Sequence, residues 1–174
     1  RDWSSDVCSS DLRGVIVQSG VHGTNNVVLV DSIAKAPQRL RGIALIPENI
    51  SDAELDRLNA AGVRGFRANL VAGTGVQFDA SRKLAARVAR LGWHVQYLLD
   101  IEKFPDLDRV LGDFPVEVMI DHMGRPDTRG GIDAPGFQAL VRFLKSGRGW
   151  SKLSAPRSEE HTSELQSRET ISYA

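Results

Sequence analysis

Along most of this chain, short apolar runs alternate with amphipathic ones, and that alternation restricts the fold more than any single motif does. Strand-like runs occupy 13–19 (RGVIVQS), 41–47 (RGIALIP), 63–70 (VRGFRANL), 93–100 (WHVQYLLD), 116–121 (VEVMID) and 150–154 (WSKLS). Helix-like runs lie between them at 27–36, 51–62, 79–92, 105–112 and 134–147. The second of these carries its own signals: Ser51 and Glu54 form a capping box, Leu55 and Leu58 stand at helical spacing, and Gly62 ends the run. Pro135 and Gly147 bracket the last helix in the same way.

Six strands joined by five helical connections call for a parallel sheet with right-handed crossovers. An open sheet covered on both faces reads almost evenly apolar, and these strands do not. Arg67 and Asn69 share one face of 63–70 with Gly65, while Phe66, Ala68 and Leu70 share the other. His94, Gln96 and Asp100 alternate with Val95, Tyr97 and Leu99, and Lys152 lies opposite Ser151 and Leu153. Polar residues at inward positions near strand C-termini are what a (β/α)8 barrel presents at its mouth. The expected fold is therefore α/β, a partial (β/α)8 barrel with about six of eight strands, since a whole barrel takes roughly 250 residues.

The two ends do not fit this pattern. Residues 2–12 (DWSSDVCSSDL) and 157–167 (RSEEHTSELQS) are polar, Ser-rich and without helical or strand period. They are also related at the level of DNA, because one back-translation of 157–167 has a reverse complement that reads, one base in, as 2–12. Two independent protein segments do not encode each other's complement; the pattern resembles sequencing-library adapter translated at both ends of an insert. The domain expectation is thus a partial barrel over 13–156, flanked by adapter-derived tails over 1–12 and 157–174. Cys8, the only cysteine, and His161 fall in the tails and leave the set of candidate functional residues.

The formal net charge is zero and no basic patch with interleaved aromatics occurs, so nucleic acid is not an expected partner. Residues 13–156 contain no apolar run of membrane-spanning length and no signal-peptide pattern. No membrane partner is expected, and the cytoplasm is the default compartment. Phosphate-binding loops, nucleophile elbows, zinc-finger spacings and EF-hands are also absent from the sequence.

Chemistry concentrates in PVEVMIDHMGRPD (115–127), where an apolar run ends on Asp121-His122 and breaks at Gly124 and Pro126. If Val118 points into the barrel, strand alternation puts Ile120 and His122 on its face, and His122 reaches the mouth. A histidine there serves as acid, base, oxyanion donor or metal ligand; one satisfied by structural neighbours is the alternative. Arg67 faces inward, and an unpaired buried guanidinium is costly. It needs an anion, either a substrate carboxylate held bidentately or Asp100. Arg125 is a second carboxylate reader or a solvated loop residue. Asn69, Gln96, Lys152 and Ser154 serve a ligand or a structural polar layer. Ser19 and His22 follow the first strand on a turn between Gly20 and Gly23 that offers amides or a hydroxyl to substrate. His94 opens its strand, at the barrel floor, and reads as structural.

Five segments in order carry a resemblance: VQSGVHGTNN, RGIALIP with SDAELDRLNAAGVRGFRANLVAG, LGWHVQYLLD, PVEVMIDHMGRPD and PGFQALVRFLKSGRGWSKLS. Together they resemble the amidohydrolase-related barrel family, in the branch of the 2-pyrone-4,6-dicarboxylate lactonases. The resemblance implies a hydrolase that opens a lactone or cyclic ester of a carboxylated small molecule, with no metal and no cofactor. An aspartate of the last strand activates water, histidines polarise the carbonyl and arginines hold carboxylates. His122 matches the strand-six histidine, and Arg67 matches a carboxylate-binding arginine. Metal-binding members have a histidine at the end of strand five, where Leu98-Leu99-Asp100 stands here. The branch's serine falls at Gly20 beside Ser19, its second arginine near Gly73, and its strand-five tyrosine at Leu98 beside Tyr97. These departures leave room for a different lactone or dicarboxylate. The implied His-x-His, last-strand aspartate and arginine after strand seven fall outside 13–156, so the 174-residue chain itself is expected to be inactive. A metal-dependent amidohydrolase or decarboxylase, and a non-catalytic carboxylate-binding barrel, are the competing expectations.

Overall fold

A computed structural model describes residues 13–154. The strands are β1 (Gly14–Val17), β2 (Leu40–Ala44), β3 (Val63–Asn69), β4 (Thr74–Gly75), β5 (His94–Leu98), β6 (Val118–Ile120) and β7 (Gly149–Ser151). The helices are α1 (Val27–Ala34), α2 (Asp52–Ala60), α3 (Phe78–Val88), α4 (Leu107–Leu111) and α5 (Pro135–Lys145). Six strands pair in parallel in the order β1-β2-β3-β5-β6-β7, a half-barrel wound by the five helices. Every expected strand and helix is present, most of them shorter than the apolar run that announced them. The two-residue β4 lies outside the expectation; it folds back antiparallel on the end of β3. The expected tails, 1–12 and 157–174, and the last two residues of the expected barrel, 155–156, lie outside the described residues. Among the described residues no helix is long and apolar enough to cross a membrane.

In a parallel sheet, residues paired across strands point to the same side. Phe66 pairs with Val95 and Ala68 with Tyr97, while Val95 and Tyr97 in turn pair with Val118 and Ile120. This face is the core, packed with Leu55 and Leu58 of α2, Leu84 and Val88 of α3, Leu107 and Leu111 of α4, and Leu140 and Phe143 of α5. Each such side chain, fully buried, contributes about 1.5–3 kcal/mol. Arg67, Gln96, Met119 and Trp150 pair in series on the opposite, inner face. Val118 and Ile120 therefore face the helices, contrary to the inward Val118 on which the His122 expectation rested.

Local signals act largely as their chemistry requires. Ser51 Oγ accepts from Glu54 N at 3.2 Å. The Glu54 carboxylate, however, turns outward to Arg57 at 2.7 Å, so only half of the capping box forms. An exposed fork-to-fork ion pair thus replaces the back-bond to the cap. Gly65 has a steric reason to be glycine. A Cβ there would stand 2.7 Å from His94 O and 3.1 Å from its ring Cε1. Tyr97 lies in the core against Phe78 and Phe114, at centroid distances of 5.4 and 6.2 Å, with its hydroxyl on Ser81 Oγ. Burial raises its pKa well above the ordinary tyrosine range. It is thus turned away from the inner face.

Candidate active site

Three inner-face side chains converge on one carboxylate at the C-terminal end of the strands. Asp121 follows the last residue of β6, continues the inward series after Met119, and is 0% exposed. Arg67 Nη2 of β3 donates to its Oδ2 at 2.7 Å, and Gln96 Nε2 of β5 donates to the same oxygen at 2.8 Å. Lys152 Nζ, one residue beyond β7, approaches Oδ1 to 2.8 Å as an ion pair whose angle is too poor for a hydrogen bond. Arg67 is therefore not paired with Asp100, the internal partner the sequence suggested; Asp121 takes that place because it sits two strands away on the same face.

Two cations share one carboxylate in this cluster, which leaves one positive charge in excess. Arg67 Nε, buried, has no partner among the described residues. A buried donor left unpaired costs about 1–3 kcal/mol. A small anion that accepts from it and meets the excess charge would satisfy both.

His122 reaches the same end of the sheet by a different route from strand alternation. The strand stops at Ile120, and His122, Met123, Gly124 and Arg125 all take left-handed backbone angles, with φ of 52°, 55°, 72° and 54°. Three of these are not glycine, at a cost of roughly 1–3 kcal/mol each. Backbone bonds to the end of β7 hold the turn: Lys152 N donates to Ile120 O at 2.9 Å, and Met123 N donates to Lys152 O at 3.0 Å. His122 Nδ1 thereby meets Ser154 Oγ at 2.9 Å.

The other candidates stand apart from this cluster. Arg125 Nε donates to Asp100 Oδ1 at 3.0 Å, and Lys103 Nζ lies 3.4 Å from Oδ2, so this arginine's carboxylate is internal. Asn69 Oδ1 accepts from Ala72 N at 3.0 Å and shapes the loop after β3. Ser19 caps the turn after β1 through a 3.4 Å bond from Val21 N, and His22 on that turn is exposed. No bond joins Asn69, Ser19 or His22 to the Arg67 cluster among the described residues. His94 lies at the floor, beside a concavity of about 170 Å³ shared with Glu117, Met119 and Trp150. Burial holds its pKa below the ordinary histidine range.

Asp121 is the residue that the candidate set omitted. Its signal was the period-2 series Glu117, Met119, Asp121, legible once the apolar Val118 and Ile120 are given to the helix side. Among the described residues, no three His, Cys, Asp or Glu side chains gather where they could hold a metal ion.

The amidohydrolase family model matches residues 9–172, a span that contains the whole half-barrel. Among curated proteins, the chain is 39% identical over 148 residues to 2-pyrone-4,6-dicarboxylate hydrolase of Comamonas testosteroni, covering 83% of this chain and 48% of that one. It is 27% identical over 153 residues to 4-sulfomuconolactone hydrolase of Rhizobium radiobacter, covering 86% and 51%. Among solved structures, a probable 2-pyrone-4,6-dicarboxylic acid hydrolase of Acinetobacter baumannii with citric acid bound aligns with a TM-score of 0.72 at 32% identity, covering 82% and 54%. The chain spans about half the length of the relatives it matches.

Proposed function

The chain belongs to the amidohydrolase family, and from that premise we propose that its parent protein hydrolyses a lactone or cyclic ester of a carboxylated small molecule. The observation that carries the reading is Arg67: anchored on Asp121 through one nitrogen, with its buried Nε unpaired and one positive charge in excess beside it. A substrate carboxylate is the anion this arrangement suits. Two relatives named as lactone or pyrone-dicarboxylate hydrolases, and a third with citric acid bound, support that choice of ligand class.

In the proposed reaction Arg67 holds the carboxylate and so fixes the lactone carbonyl near His122. Water adds to the carbonyl carbon, the oxygen takes up negative charge, and a ring N–H of His122 stabilises it. Collapse of the tetrahedral intermediate breaks the ring C–O bond; the leaving oxygen takes back the proton that the base removed from water and becomes a hydroxyl, and the new carboxyl group releases its proton to solvent as a second carboxylate. Water must lose a proton in the first step. Asp100 and Asp121 are both held by cations, so we assign the base to a residue outside 13–154. The 174-residue chain is accordingly proposed to lack turnover, and its partners to be carboxylated small molecules. Asn69, Ser19 and His22 remain proposed substrate contacts only if the ligand extends beyond the Arg67 cluster; Arg125 acts at one remove, through Asp100.

The test is hydrolysis of 2-pyrone-4,6-dicarboxylate and related lactones by the protein of the full parental locus. Turnover is expected, with His122→Asn lowering kcat by about 10²–10³-fold and Arg67→Met raising KM. Ligand binding without turnover would favour the non-catalytic barrel. A stoichiometric metal required for turnover would favour the metal-dependent alternative.

A further inference from the structure

The Nδ1 of His122 and the Oγ of Ser154 meet at 2.9 Å, although the two residues are 32 positions apart. Their meeting is built into the backbone. Lys152 bonds both to Ile120 before His122 and to Met123 after it, so the end of β7 is laced to the left-handed turn. The strained angles of 122–125 turn the histidine out of the strand's alternation, and one consequence is this contact. Ser154 Oγ has no other hydrogen bond, and His122 Nε2 has no partner, among the described residues.

A neutral imidazole carries its proton on one nitrogen, and the bond at the other decides which. We propose that Ser154 is a positioning residue whose hydroxyl donates to His122 Nδ1, holding the ring as the neutral tautomer that offers an Nε2–H donor to the substrate carbonyl. The inference rests on the hydrolase reading for its purpose, because a donor at Nε2 suits a developing oxyanion and an acceptor there would suit a base. Proton bookkeeping is closed: the serine keeps its proton, the ring keeps one, and no group is ionised.

Imidazole 15N NMR of the full chain tests it, with the His122 signals identified by their loss in His122→Asn. At neutral pH the expected pattern is an acceptor-type Nδ1 and a protonated Nε2. In Ser154→Ala both resonances move toward the exchange-averaged values of a free imidazole, and Ser154→Thr, which keeps the hydroxyl, restores the wild-type pattern. A protonated Nδ1 in the wild type, or a pattern unmoved by Ser154→Ala, overturns the proposal. The readout needs no turnover. Failure of the lactone assay would remove the hydrolase reading and leave the tautomer measurement intact.

Discussion

At the scale of single residues, the site depends on how one buried carboxylate divides itself. Asp121 holds Arg67, Gln96 and Lys152 at once, and removing one member of a buried pair exposes the rest to an uncompensated charge. Asp121→Ala is expected to cost about 3–5 kcal/mol, read as a fall in the urea midpoint; a loss below about 1 kcal/mol would contradict the clamp. His94 gives a pH dependence of known sign. Burial lowers its folded pKa, Glu117 opposes and Lys152 reinforces the shift. As pH falls, the unfolded chain takes the proton first, so stability rises with pH between the folded value and about 6.5. The contribution is complete above that range and lost as pH falls through the folded pKa. His94→Gln should flatten the acid limb of stability against pH; a limb of unchanged slope would exclude His94 as its source.

Elements were far more legible in the sequence than the site was. Period and punctuation sufficed for the six parallel strands and the five helices because each buries one face, and burial writes itself as spacing; the two-residue β4 is too short to show a period. The same rule failed for His122, since alternation holds only while the backbone stays extended, and φ turns positive at that residue. Histidine is enriched among the uncommon non-glycine residues of the left-handed region, which is a weak mark, and Met123 and Arg125 carry none at all. Arg67 was legible as an inward cation needing an anion, but its partner was not. Its partner Asp121 lies 54 positions away, at the end of a strand two places across the sheet, a proximity that only the assembled strand order creates. Two substitutions probe this scale. Ser51→Ala removes the α2 cap and should cost about 1 kcal/mol with no effect on ligand binding. Gly65→Ala drives a methyl into the His94 carbonyl and should destabilise by more than the cap variant does; equal effects would contradict the close β3–β5 approach.

Across the whole molecule, the half-barrel has edges. β1 and β7 each have one sheet neighbour among the described residues, and they carry exposed Val15 and Trp150, at 61% and 60%. Open strand edges with apolar side chains recruit other chains. The 174-residue protein is therefore expected to self-associate, with a scattering radius that grows with concentration; a monodisperse monomer would contradict this. The inner face that these edges frame holds the charge cluster, and the central claim is that the cluster recognises a carboxylated ligand. Isothermal titration of 2-pyrone-4,6-dicarboxylate into the dilute chain and into Arg67→Met tests that claim most directly. Saturable binding that weakens with salt and loses at least about tenfold in the variant, about 1.4 kcal/mol, is the predicted result. No binding by the wild-type chain, or binding that Arg67→Met leaves unchanged, would contradict it.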